Sequence, residues 1–357
     1  MSNGVLTMIN SIINIDNNKQ FAVPLPKVRP NEPAQDHVET QPSWAWAKVR
    51  KIALRQMDKF IDLLPPVLRH EDLTAVNEMR VSCRRLEEIL DLIYGKPRPG
   101  HIKKLRRRLQ LCRRTLGELR NCDALLDVAD NAVATRRTEA DAWKALSEYL
   151  RPLRARTAVV TLEKLGRLNL ATPYLHIKRD FDLSNERRVN HGITRERSQA
   201  ETAIVYQRIV NSLASRWREF AVAVERSHDD PCEHVIHRMR IAAKRLRYLT
   251  EVMAKLHIAG STETLNWLKS LQGTIGVWHD LEIMERMLRE IVAHRKSFKV
   301  EHLTAEHITR LIHHNSLTKK KSAQMFFQMT RKSDHYLQVK HWVSQVLAAH
   351  GGKNNHQ

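Results

Sequence analysis

From Ser43 onward, apolar residues recur at helical spacing, and the strict alternation expected of a half-buried strand is scarce. The periodicity predicts helices near residues 44–63, 73–94, 101–131 and 136–167, then a second set near 198–227, 232–258, 262–296 and 318–349. Local chemistry marks the boundaries. Pro65-Pro66 ends the first helix, and GKPRPG (Gly95–Gly100) separates the second from the third. Pro152 predicts a kink or break in the fourth. SHDDP (Ser227–Pro231) is a turn, with Pro231 suited to the first turn of the next helix, and Ser261 or Thr262 is a candidate N-cap. The expected fold is all-α: two four-helix units in tandem, at 43–170 and 198–350, joined by a polar connection at 171–197 and followed by a flexible tail at 351–357. Residues 1–42 carry Pro24, Pro26, Pro30, Pro33 and Pro42 among few apolar residues, which predicts a flexible leader dispensable for binding.

One predicted helix carries an unusual load of cations. VIHRMRIAAKRLRYLTEVM (Val235–Met253) holds His237, Arg238, Arg240, Lys244, Arg245 and Arg247. At about 100° per residue, Arg240, Lys244 and Arg247 fall within roughly 80° of His237. Met239, Ala242, Ala243, Leu246 and Met253 take the opposite side, and Glu251 shares the basic stripe. A solvated helix face would satisfy this pattern, but the pattern occurs twice. In AVNEMRVSCRRLEEILDLI (Ala75–Ile93), Met79, Arg80, Arg84, Arg85, Leu86 and Asp91 match Met239, Arg240, Lys244, Arg245, Leu246 and Glu251 at one offset. LGELRNCDALL from Leu116 and IGVWHDLEIM from Ile275 repeat as well. There Gly117 matches Gly276, Arg120 matches His279, Asn121 matches Asp280 and Asp123 matches Glu282, with the offset shifted by a single residue. Two ordered blocks at nearly one spacing indicate a duplicated unit, and a repeated basic face is hard to explain as incidental.

Charge then names a class of partner. A formal net charge of +21 on 357 residues implies a polyanion: nucleic acid, an anionic membrane surface or an inorganic polyanion. A hydrophobic content of 42% is ample for a packed core. Cys83, Cys112, Cys122 and Cys232 form no CxxC pair and no zinc-like spacing, which fits reduced thiols in a cytoplasmic protein. The N-terminus lacks the basic n-region of a signal peptide, and no apolar run reaches the roughly 20 residues that cross a bilayer, so membrane insertion is not expected. There is no glycine-rich loop of the GxxxxGK type. His313-His314 and the His302/His307 pair offer no i, i+4 ligand set, and no paired carboxylates or activated nucleophile stand out. Neither a metal, a cofactor nor catalysis is expected. Trp44, Trp46, Trp143, Trp217, Trp267, Trp278 and Trp342 are spread through helical patterns and are expected to pack the core rather than stack bases. Lys319, Lys320 and Lys321 are expected on solvent at the start of the last helix.

HxxRxxxKRLRY at His237–Tyr248, followed by LKSLQGTIGVWHD at Leu268–Asp280, resembles the second-half signature of CHAD domains (conserved histidine α-helical domains). MRVSCRRL at Met79–Leu86, with LGELRNCD at Leu116–Asp123, resembles the first-half signature. The resemblance covers roughly residues 44–350. It implies two pseudo-symmetric four-helix bundles around a basic cavity, and binding of inorganic polyphosphate without catalysis, often on polyphosphate granules. It implies cavity roles for His237, Arg240, Lys244 and Arg247, with Arg80 and Arg84 as first-half counterparts, and places Lys269, Gln272 and Asp280 on the following signature helix. Two positions depart from the family pattern. Asn77 stands where a histidine is usual and Glu87 where an arginine is usual, so the first half is expected to be less cationic there. The ExExK motif of the triphosphate-cleaving domain that some relatives attach does not occur.

A linear polyphosphate carries charge on every unit and has no side chains to read, so it calls for many cations along a path. Arginine supplies forked donors and lysine a mobile point charge. The run His101–Arg114 adds Lys103, Arg106, Arg107, Arg113 and Arg114 to the candidates, although they surround their helix too widely for all to share one groove. Arg120 and His279, from the repeated second block, complete the set. Competing readings are a general nucleic-acid binder, for which charge alone would give weak affinity, and a phosphohydrolase or metal-binding protein. His237 and His279 are expected to be neutral beside so many cations and to gain protons when a polyanion binds. A packed or capping role for His237 is the alternative.

Overall fold

The computed structural model describes residues 45–69, 73–135, 139–170, 172, 174–179, 195–293, 303–331 and 333–351. The leader, much of the expected connection and the tail beyond 351 lie outside these residues. The described residues contain no strand. The helices are α1 (Ala45–Asp62), α2 (Leu64–Arg69), α3 (Leu73–Ile93), α4 (Gly100–Thr115), α5 (Gly117–Thr135), α6 (Ala140–Gly166), α7 (Arg195–Asp229), α8 (Glu233–Lys255), α9 (Ser261–Ala293), α10 (Ala305–Gln328) and α11 (Asp334–Gly351).

The departures from the expected boundaries have local causes. Pro65-Pro66 ends α1 but also opens α2, because a first-turn proline loses no intrahelical hydrogen bond. α6 runs through Pro152 without a break. The carbonyl left without its donor is that of Glu148, on an exposed face where water can reach it. The expected third helix divides at Leu116 into α4 and α5, and the expected last helix is two, α10 and α11, joined through Arg331 at φ 55°. Ser261 is the first residue of α9 rather than a cap, and its hydroxyl donates to the Ile258 carbonyl. The turn into α9 is made by Gly260 at φ +73°, where a Cβ would lie 2.4 Å from Cδ1 of Trp342. Trp342 Nε1 donates to the Ala259 carbonyl at 2.7 Å, which fixes the ring over that turn.

The repeat survives in the packing. α1 packs on α3, α3 on α4 and α5, and α5 on α6; in the same order α7 packs on α8, α8 on α9, and α9 on α10. Equivalent acids make equivalent bonds. Asp123 on α5 accepts from Arg154 on α6 at 2.5 Å, and its counterpart Glu282 on α9 pairs with Lys319 on α10. The core, however, does not divide between the halves. The larger hydrophobic cluster runs from Val49 to Leu119 and takes in Leu246, Leu271 and Phe326 from the second half. The smaller joins Leu125–Leu150 of α5 and α6 to Leu281–Leu311 of α9 and α10. α5 and α9 therefore pass from one cluster into the other, and the cores are shared rather than tandem.

Candidate functional site

Where the two clusters meet, α3, α4, α5, α7, α8 and α9 line a cavity of about 1310 Å³. Twelve Arg and Lys side chains face it against six carboxylates. Arg245 and Arg286 pair with Glu219 and Glu233 at 3.0 and 2.9 Å, and two sectors stand out among the rest. In the first, arginines are neutralised by carboxylates of α3: Arg98 and Arg106 meet Asp91 at 2.7 and 2.5 Å, Arg113 meets Glu87 at 3.7 Å, and Arg216 of α7 meets Glu88 at 3.2 Å.

The second sector has no such relief. Arg84 and Lys244 have no ion pair among the described residues, and Arg240, only 8% exposed, has an Nε without a hydrogen-bond partner. The two basic helices α3 and α8 set these side chains toward each other, with the His237 and His279 rings 5.6 Å apart at one side. Burial is the largest influence on each group, and the neighbouring cations add to it. Together they lower the Lys244 ammonium to about 5, with Arg240, Arg84, Arg120 and Arg80 all contributing. His279 falls to about 2 for the same reasons, and His237 is also lowered, against a small opposing effect of Glu233. Even the Arg80 and Arg240 guanidiniums are lowered to about 10. The carboxylate that most raises Arg240 is Asp280, and it is engaged by Arg120, whose Nη1 and Nη2 donate to Oδ1 and Oδ2 at 2.7 and 3.3 Å. Such a site holds positive charge under strain and is stabilised by an incoming polyanion.

The sequence profile of the CHAD domain matches residues 51–289, well over half of the chain. The chain belongs to the CHAD domain family. A crystal structure of the CHAD domain from the plant Ricinus communis superposes with a TM-score of 0.51 and 18% identity, covering 90% of this chain and 96% of that one, a likeness of fold. No curated protein sequence matches.

The site residues expected from the sequence, in the CHAD signatures and in the basic run His101–Arg114, are only partly brought together. Arg80, Arg84, Arg106, Arg113, His237, Arg240, Lys244 and His279 line the cavity, and Arg120 stands behind them on Asp280. Lys103, Arg107, Arg114 and Lys269 are exposed and face away from it, as one helix cannot turn every side of its surface to one groove. Arg247 is off the lining too: it lies 4.9 Å over the Tyr248 ring and 3.7 Å from Glu251, one turn on. Lys319 is not on solvent. It sits in the interior of α10, clamped by Glu282 and by Glu285 at 2.8 Å, and 5.5 Å over the Trp278 ring. Signature reasoning missed Lys96 and Arg98 in the α3–α4 loop, Arg208 and Arg216 of α7, and Arg286 of α9, all facing the cavity. Arg208 and Arg216 share a face by their spacing of eight, which was the available signal.

Two further histidines are engaged elsewhere. His307 completes a capping box with Thr304 and faces Asp141 at 3.4 Å, and His314 lies 3.2 Å from Glu139. Among the described residues no group of three or more His, Cys, Asp or Glu is placed to hold a metal ion, and no helix is long and apolar enough to cross a membrane.

Proposed function

We propose that this CHAD domain binds inorganic polyphosphate in the cavity between α3 and α8, without hydrolysing it, and works in the cytoplasm at polyphosphate granules. The observation that carries the reading is the crowding of Arg84, Arg240 and Lys244 without an ion pair among the described residues, in a space of about 1310 Å³. That charge is unfavourable when the cavity is empty and becomes favourable once phosphate oxygens replace water. The volume exceeds the usual small-ligand pocket of about 300–1,000 Å³, which suits a chain of phosphates rather than one. Nucleic acid fits less well. Trp278 and Tyr248, the larger rings on the lining, are both buried, which leaves the small imidazoles of His237 and His279 as the ring faces a base could meet.

The test is filter binding against long-chain polyphosphate, RNA and DNA at two salt concentrations. Polyphosphate should displace both nucleic acids, equal amounts of nucleic acid should not displace polyphosphate, and affinity should fall steeply with salt as counterions are released. Equal competition in both directions would favour a general polyanion binder. Release of phosphate from polyphosphate with added Mg²⁺ would make the protein a hydrolase.

A further inference from the structure

A second concavity lies outside the cavity, in the groove between α7 and α8. It has a volume of about 600 Å³ and a different character. Its floor is aliphatic, built from Val222, Ala223, Val235, Ile241 and Ala242. Val222 is 46% exposed and Ile241 38%, so the strip is open to solvent. Arginines flank it on both sides: Arg218 and Arg226 on α7, Arg238 and Arg245 on α8. Glu219 is the one carboxylate on its lining and is spent on Arg245 at 3.0 Å. Among the described residues Arg218, Arg226 and Arg238 are exposed and have no carboxylate at ion-pair distance.

We infer that this groove docks an acidic amphipathic helix of a partner protein. Two features choose the occupant. The arginines of each rail are two helical turns apart, roughly 12 Å on α7 and roughly 10 Å on α8 at 1.5 Å per residue. A helix lying in the groove, with carboxylates two turns apart on each flank of an apolar i, i+3/i+4, i+7 stripe, meets both rails and covers the strip at once. A purely polar polyanion would satisfy the arginines and leave the strip wet. A flat bilayer would not reach a floor recessed between two helices. A second copy of this chain carries the same net charge of +21 and is repelled. The groove adjoins the cavity through Ser215, Glu219, Ile241 and Arg245, so a protein seated there would lie beside whatever the cavity holds.

The test uses a fluorescent helical peptide of about 20 residues, with leucines at helical spacing flanked by glutamates. Its control has the same composition in an order that destroys the stripe. Anisotropy with the full chain should show the patterned peptide binding at least about tenfold more tightly than its control. R226E/R238E should lose that binding at least about tenfold, and V222Q, which removes apolar contact without changing charge, should lose it about tenfold. Circular dichroism and Tm of both variants should match the parent, since all three side chains are exposed. Equal binding of the two peptides would overturn the inference, as would unchanged binding to V222Q, which would make the groove a rail for any polyanion. Self-association of the parent that R226E/R238E abolishes would assign the face to a second copy and would overturn it equally.

Discussion

Lys244 is the residue at which the fold and the site are in tension. Burial and four surrounding arginines lower its ammonium to about 5, whereas the unfolded chain keeps it near about 10.4. At pH 7 the unfolded chain therefore binds the extra proton, so this residue makes stability rise with pH from about 5 upward and withdraws it as pH falls. Lys244→Met should raise Tm at pH 7, flatten the dependence of Tm on pH between about 6 and 9, and weaken polyphosphate binding. A Tm that keeps the parent's pH slope would show Lys244 to be charged in the empty cavity. Binding runs the same linkage the other way. A bound polyanion raises Lys244, His237 and His279, so association takes up protons and affinity should rise as pH falls from about 8 to 6. Calorimetry in buffers of different ionisation enthalpy counts those protons; the count should drop in Lys244→Met and, by less, in His237→Ala. The sequence points to the histidine as the proton acceptor because its ordinary value lies nearest neutral pH. It could not show that Lys244 would be more crowded than any histidine, since Arg84, Arg120 and Arg80 reach it from the other half of the chain. Arg247 was misplaced for a related reason. Helical angle assigns it to the stripe, but a long side chain with Glu251 one turn on is drawn to that carboxylate.

At the scale of elements, the two copies differ because one helix is broken and its counterpart is not. α4 ends at Thr115 and leaves the Arg113 carbonyl free of the helical ladder; Arg80 donates to it at 2.6 Å. α9 passes unbroken through the equivalent position, offers no such acceptor, and Arg240 keeps an unpartnered Nε. Glu87 adds to the difference by standing 3.7 Å from Arg113. Arg240→Ala with Lys244→Ala should therefore cost more polyphosphate affinity than Arg80→Ala with Arg84→Ala, and each lost phosphate contact should lower the salt slope by about one unit. Equal losses would make the halves equivalent. Asp280 offers the converse change. Asp280→Asn frees Arg120 and removes the carboxylate that most supports Arg240, so binding should tighten while Tm falls. The repeat was legible through Gly117 and Gly276, and so was the surplus of positive charge. The break at Leu116 was not. Both copies place a glycine there, helix propensity does not separate them, and what differs is a tertiary contact, the close approach of Arg80, whose Nη1 would lie 3.2 Å from a Cβ at Gly117.

For the whole molecule, hydrophobic periodicity gave helices and their number of faces, but not which face meets which neighbour. A tandem reading assigns one core to each half; in the structure each cluster is made by both. The polar contacts agree. Arg85 of α3 holds Glu251 of α8 at 2.6 Å, Arg216 of α7 holds Glu88 of α3 at 3.2 Å, and Arg310 of α10 holds Asp141 of α6 at 2.7 Å. Arg208 of α7 donates to the carbonyls of Leu92 and Ile93 at 3.2 and 2.5 Å, closing the end of α3. A half taken alone exposes a cut core and leaves Glu88 or Asp141 without its cation, or Glu251 without Arg85. Residues 43–170 on their own should accordingly lack a cooperative melt and show less helicity than their share of the full chain. Residues 43–350 should unfold in a single transition, because neither cluster can come apart without the other half. Polyphosphate at about 100 times its Kd should stabilise that transition by about 2.7 kcal/mol and move it as a unit, since the cavity lies where the clusters join. Circular dichroism of the two fragments, with and without polyphosphate, decides it: a cooperative, fully helical 43–170, or two transitions in 43–350 of which only one responds to polyphosphate, would mean that the halves fold as separate bundles.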